Sequence, residues 1–326
     1  MLGHRSLGFP HFVDPGPRRS RLPVVRGLAV SLAAVLLLGG CQPRDTAPSV
    51  EDSETSGRIS IAAAPDVRAM VAVQADSFRT LYPQAVLELR EPESSSAVIA
   101  ALLGGHADVA AAARELETEE REMARQGGIA VDGHRIAQDA MVLVVASANP
   151  VRNLTVEDLA NIWRGDLTDW SAVGGRSARI VPVLPPLSSD LARAFVQRVL
   201  PGEVMRAASM LEASDSAVAA RVAAIPGAIG LVSLPLAASP GVRALALAPL
   251  AGTPYVEPDM QTVHEGTYPL TRFVNLYIRA QGARLAGGFV TYASSEPGQR
   301  LVLAHGRVPT AVPIRFVHRS PLLGSH

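Results

Sequence analysis

Between residues 58 and 311 the chain alternates short apolar runs of strand length with stretches whose apolar residues recur three and four positions apart. Arg58-Ile59-Ser60-Ile61-Ala62-Ala63-Ala64 reads as a strand ending in small residues. Pro65 and Asp66 then open a helix through Met70, Val73, Phe78 and Leu81, and Tyr82-Pro83 stops it. Ala85 to Leu89 gives a second strand, Glu91 to Ser96 a polar loop, and residues 97–103 a helix closed by Gly104-Gly105. Asp108-Val109-Ala110-Ala111 supplies a third strand. Strand, loop and helix in this order imply parallel pairing with right-handed crossovers. Residues 117–126 mix acidic and basic side chains and read as a solvated helical face, whose i,i+4 pairs contribute about 0.2–0.5 kcal/mol each. The most continuous strand runs from Ile136 to Ala146.

The second half repeats the plan. Thr155 with Asp158 three residues on reads as a helix N-cap and its acidic partner, and Leu154, Leu159, Ile162 and Trp163 follow at helical spacing. Gly165 ends this helix, and Leu167, Trp170 and Val173 form an apolar series before the Gly174-Gly175 turn. A strand from Ile180 to Leu184 leads into Pro185-Pro186-Leu187-Ser188-Ser189-Asp190 and a helix over residues 191–199. A further helix spans 217–224, a turn and strand 225–232, a crossover strand 273–279 and a helix 289–303, while the Pro-, Gly- and Ala-rich section up to Pro258 shows no period.

The ordered residues of 153–175, NLTVEDLANIWRGDLTDWSAVGG, resemble the signature of the phosphate-binding proteins, the solute receptors of bacterial phosphate ABC transporters. Pro226-Gly227-Ala228-Ile229-Gly230, Gly266-Thr267-Tyr268-Pro269-Leu270-Thr271-Arg272, Ser295-Glu296-Pro297-Gly298-Gln299 and Gly306 to Pro309 are similar to later elements of the same family, in the same order. The resemblance spans about residues 58–311. It implies an α/β, two-lobed type II periplasmic-binding-protein fold, each lobe a mostly parallel sheet flanked by helices, joined by two crossover strands. Lobe 1 begins with residues 58–141, lobe 2 covers 142–265, and 266–311 hold the return crossover and C-terminal helix, with a tail at 312–326.

Composition places the chain outside several classes. Hydrophobic residues make up 48% of it, and its 30 basic residues, all Arg, balance 30 acidic ones, so no basic excess points to nucleic acid. Arg18, Arg19, Arg21 and Arg26 precede an apolar run from Gly27 to Gly40, shorter than the ~20 residues of a membrane span. Residues 1–40 therefore read as a signal peptide. Leu38-Gly39-Gly40-Cys41 is similar to the bacterial lipobox, which implies lipidation of Cys41, the only cysteine, and a flexible tether over 41–57. The expected address is the periplasm, lipid-anchored to an envelope membrane, the outer one favoured because Gln42 stands where an inner-membrane retention Asp is common; the export route stays open.

Oxyanions are held by helix N-termini, backbone N–H groups, hydroxyls and Arg forks beyond the carboxyl ends of parallel strands. Carried over residue by residue, the family's binding loops fall on Ala63 and Ala64, on Ser94, Ser95 and Ser96, on Ala112, Ala113 and Arg114, and on Pro185, Ser188, Ser189, Asp190 and Leu191. The candidate ligand residues are Ser94, Ser95, Ser96, Arg114, Asp139, Ser188 and Ser189. Arg114 has an alternative as an ion-pair partner of Glu115 or Glu117, and Asp139, at the crossover strand, as a hinge, interlobe or strand-edge residue. Asp190 would repel a bound dianion. The expected protein is a monomeric receptor that binds phosphate or another small ligand and docks on an ABC permease, with no metal or cofactor. It is not expected to be an enzyme, since no nucleophile elbow, P-loop or His-Glu-x-x-His is present. Alternatives are a degenerate receptor acting as an envelope interaction or signalling module, favoured by the alanines at 62–64 and 111–113, and a receptor for a cationic or donor-bearing ligand, favoured by Asp190.

Overall fold

The computed structural model describes residues 52–311; the expected signal peptide, the Cys41 lipidation site, the tether up to residue 51 and the tail at 312–326 lie outside the described residues. The first half alternates β1 (Gly57–Ala63), α1 (Arg68–Leu81), β2 (Ala85–Arg90), α2 (Ser95–Leu103), β3 (Val109–Ala112) and α3 (Thr118–Gln126). Here β1 pairs in parallel with β2 and β3, as the strand-helix alternation requires. Next comes β4 (Val131–Ala146), which begins five residues before the apolar run. Its polar start is a paired strand whose side chains are partly exposed, so apolar content does not mark it.

The second half runs β5 (Asn153–Thr155), α4 (Val156–Arg164), a 3-10 turn at Trp170–Val173, β6 (Val181–Leu184), α5 (Asp190–Val199), β7 (Met210–Leu211), α6 (Asp215–Ala224) and β8 (Ala228–Ser233). The region without a sequence period holds β9 (Val242–Ala244), β10 (Ala246–Ala248) and α7 (Met260–His264). Finally β11 (Thr271–Arg279) returns to the first sheet, followed by α8 (Arg284–Ser294), α9 (Glu296–Ala304) and β12 (Val308–Pro309). The main sheet has the order β2-β1-β3-β11-β4-β8-β6-β7. Both crossover strands are antiparallel to their neighbours, β11 to β3 and β4, and β4 to β8, while β6 pairs in parallel with β7 and β8.

Two apolar cores divide the fold into lobes. Ile61, Met70, Phe78, Ile99, Leu276 and Phe289 belong to the first. Leu143, Trp163, Trp170, Phe195, Ile229 and Leu231 belong to the second. Strand β4 feeds both, Ile136 and Ala137 packing into the first and Ala140 to Val145 into the second. A flexible tether is not what residues 52–56 form. Asp52 turns back so that its carboxylate accepts from the first N–H groups of α8, Arg284 at 3.0 Å and Leu285 at 3.4 Å. A Cβ on Gly288 would stand 1.8 Å from the Glu54 carbonyl oxygen, so only glycine lets this segment lie against α8.

The signature segment orients the second lobe. Thr155 and Asp158 form a reciprocal capping box on α4, with Asp158 N–H donating to Thr155 Oγ1 at 3.0 Å and Thr155 N–H to Asp158 Oδ2 at 2.8 Å. Gly165 closes that helix in the left-handed conformation, φ 84°. Trp163 of α4 packs edge-on against Phe195 of α5 with ring centroids 4.7 Å apart, and Trp170 Nε1–H donates to the Gly227 carbonyl at 2.9 Å. The position of α5 is thus fixed from inside the core, and α5 presents its first turn to the cleft.

Candidate functional site

Helices α2, α5 and α6 each start with a serine whose hydroxyl caps the first turn. Ser94, Ser189 and Ser214 accept from the N–H of Ala97, Ala192 and Ala217, each at 3.2 Å. These three N-termini, two from the second lobe and one from the first, border a cavity of about 180 Å³. Each brings first-turn N–H groups and the positive end of its dipole, the equipment of an anion site. The charged lining opposes an anion, however. It includes the carboxyl side chains of Asp66, Glu93, Asp190 and Asp215, and no Arg.

Asp190 occupies the centre of this arrangement. It is the first residue of α5, its side chain is 1% exposed, and its carboxylate reaches across to the first lobe. Oδ2 accepts from the Ser95 hydroxyl and from the Ala113 N–H at 3.3 Å, and Oδ1 stands 3.4 Å from Arg114 Nε without a hydrogen bond. Burial pushes the Asp190 carboxyl up, and the neighbouring Asp66 carboxylate pushes the same way; the Ser95 bond, Arg272 and Arg114 offset this only in part. One helical turn on, Arg193 donates to Glu117, and to Ser96 Oγ at 3.3 Å, so α5 grips the first lobe twice.

Arg114 is held by a two-pronged pair with Glu120, Nη1 to Oε2 at 2.8 Å and Nη2 to Oε1 at 2.6 Å, with Glu117 Oε1 at 3.8 Å from Nε. The glutamates weighed from sequence were 115 and 117. The Glu117 pair is therefore present, Glu115 offers Arg114 its carbonyl, and Glu120 adds the closest contact because it folds back to accept from the Glu117 N–H at 2.8 Å as the N-terminal box of α3, which brings its carboxylate beside Arg114.

Asp139 lies on β4 away from the cavity lining and is fully buried. Oδ2 accepts from Arg272 Nη2 at 2.8 Å with Arg307 Nε at 3.5 Å, and Oδ1 accepts from the Leu234 N–H at 3.1 Å. Burial favours its neutral form, but the two guanidiniums and the Leu234 N–H outweigh burial and hold the carboxyl below its ordinary value. Arg272 also donates to Asp66 Oδ2 at 2.8 Å, and Arg307 to the Asp66 carbonyl at 2.7 Å. The network therefore ties both crossover strands to the floor of the cleft.

Of the candidates from sequence, Ser94, Ser95, Ser188 and Ser189 border the cavity. Ser96 and Arg114 stand behind it in the interlobe contact, and Asp139 belongs to the crossover network. Sequence reasoning left Asp66, Glu93, Ser214 and Asp215 out of the site. Ser214-Asp215 carried a usable signal, a capping residue followed by an acid at a helix start. Asp66 carried none, because its partner Arg272 is 206 residues away.

This arrangement, two α/β lobes joined by two crossover strands with helix N-termini converging between them, defines a binding protein of the type II periplasmic fold. The chain belongs to the PBP superfamily, whose domain matches residues 48–297. It is similar to the phosphate-binding protein PstS of Bacillus subtilis, 27% identical over 266 residues that cover 79% of this chain and 82% of the relative. Among solved structures it resembles an ABC-type phosphate transport receptor from Vibrio cholerae, with TM-score 0.66 and 25% identity over 77% of this chain and 100% of that one. A Clostridium perfringens protein solved with bound phosphate matches with TM-score 0.67 and 24% identity over 78% of this chain and 100% of its own.

Proposed function

We propose that this chain is the solute receptor of a phosphate ABC transporter, exported to the periplasm, anchored through a lipid on Cys41 and acting as a monomer that delivers its ligand to the permease. One observation carries the choice of an oxyanion: the Ser95 hydroxyl, the Ala113 N–H and Arg114 Nε converge on a single carboxylate group between the lobes. Donors of these three kinds suit an anion with several acceptor oxygens. The B. subtilis relative and the phosphate-bound C. perfringens structure support phosphate as that anion. The chemistry is binding without a covalent step. Solute is held between the closed lobes to the extent that it binds the closed form better than the open one, and the permease reads the closed, loaded form.

A second reading is favoured by the four carboxyl groups of the cavity lining, which suit a cationic or donor-bearing solute. Calorimetric titration of the purified chain with phosphate and, separately, sulfate decides between them. The phosphate reading expects saturable, one-to-one heat with phosphate, weakened about 2- to 10-fold when Ser95→Ala is added to Asp190→Ala, the equivalent of one neutral hydrogen bond of about 0.5–1.5 kcal/mol. Folded protein that gives no saturable heat at millimolar phosphate, both as the native chain and as Asp190→Ala, contradicts it.

A further inference from the structure

The groups that the cleft offers to an oxyanion are already engaged, and the group engaging them belongs to the chain itself. Asp190 leaves the second lobe on α5, while its partners Ser95, Ala113 and Arg114 all belong to the first. An aspartate at the first position of a helix ordinarily stays in solvent and interacts with its own helix dipole. Here Ser189 caps α5, and the Asp190 side chain is buried and directed across the cleft. A carboxylate and a phosphate ask for the same donors, and two anions cannot share them.

We infer that Asp190 is a built-in stand-in for the solute, an intramolecular latch that holds the lobes together before solute arrives, so that phosphate is captured by exchange for the Asp190 carboxylate. The inference rests on the oxyanion reading of the cleft. Asp190 is held firmly enough to close the cleft and incompletely enough to be released: Oδ1 has no hydrogen bond, Asp66 stands nearby, and no solvent reaches it. Arg193, with Ser96 and Glu117, is a second clasp on the same helix and guides α5 to the same closed position. A latch of this kind weakens apparent affinity by the fraction of molecules that are open. With about nine molecules in ten latched, phosphate binds about tenfold more weakly than to the same cleft without the latch.

The test compares the native chain with Asp190→Ala, with Asp190→Asn as the variant of unchanged shape, each shown to be folded by circular dichroism. Small-angle scattering without ligand reads the latch directly, and phosphate titration reads the exchange. The native chain is expected to have the same radius of gyration with and without phosphate. Ligand-free Asp190→Ala is expected to expand, contract again on phosphate, and bind it at least about tenfold more tightly than the native chain, with Asp190→Asn between the two. Equal radii for the ligand-free native chain and both variants overturn the latch, whatever phosphate does. Expansion of the variants with phosphate bound no more tightly than by the native chain overturns the exchange. Expansion of the variants with no phosphate binding by any of the three leaves the latch standing and removes phosphate as the solute.

Discussion

Asp139 and Asp190 are both buried aspartates, yet their surroundings differ in kind. Asp139, on a crossover strand, meets two guanidiniums and a backbone N–H, and its carboxyl is held below its ordinary value against the cost of burial. Asp190, on a helix tip across the cleft, meets one hydroxyl, one long N–H bond and an arginine already paired with Glu120, and its carboxyl is raised. A charge compensated on every side is a pin that cannot be withdrawn without loss of the fold. One compensated in part, and only by the opposite lobe, can be withdrawn when the lobes part. Burial alone would rank the two aspartates together; the completeness of their partners separates crossover strand from cleft.

The largest effect should fall on the crossover network. Arg272→Met leaves Asp139 buried without its closest cation and is expected to cost about 3–5 kcal/mol in urea denaturation, whereas Asp190→Ala should change stability by no more than about 1 kcal/mol. Equal losses in the two variants would erase the distinction. A smaller effect belongs to the support of the cleft rather than to either aspartate. Thr155→Ala removes the hydroxyl that caps α4 and should cost about 1 kcal/mol while leaving phosphate affinity unchanged, because α5 is positioned by Trp163 against Phe195 and not by the cap. A matching loss of affinity in Thr155→Ala would show that the cap reaches the site.

Much of this fold was legible because its signals are local. The capping pair Thr155 and Asp158, the Gly165 terminator and the apolar spacing of Trp163 all lie within one helix, and the helix forms as the spacing implies. The strands β9 and β10 were not legible, since three residues are too few for a period to show. The site divides in the same way. Ser94 and Ser189 stood out as hydroxyls in polar loops that lead into helices, but the contact that fills the cleft joins Ser95 to a residue 95 positions later. The sequence identified Asp190 as an anion in an anion's place; that it is held there by the other lobe is a fact of tertiary structure. Ala62 to Ala64 and Ala111 to Ala113, which suggested a site that had lost its polarity, are packed in the first core, and the polar contacts come from α2, the Ala113 N–H and α5 instead.

Carboxyl-carbon nuclear magnetic resonance of Asp139 and Asp190, followed against pH and against phosphate, tests the contrast most directly. As pH falls, Asp190 should take up its proton above the ordinary carboxylate value of 3.8 and Asp139 below it, and saturating phosphate should move the Asp190 signal while leaving Asp139 in place. An Asp190 signal that phosphate leaves unmoved in a protein shown to bind it, or two aspartates that titrate together, would contradict the account.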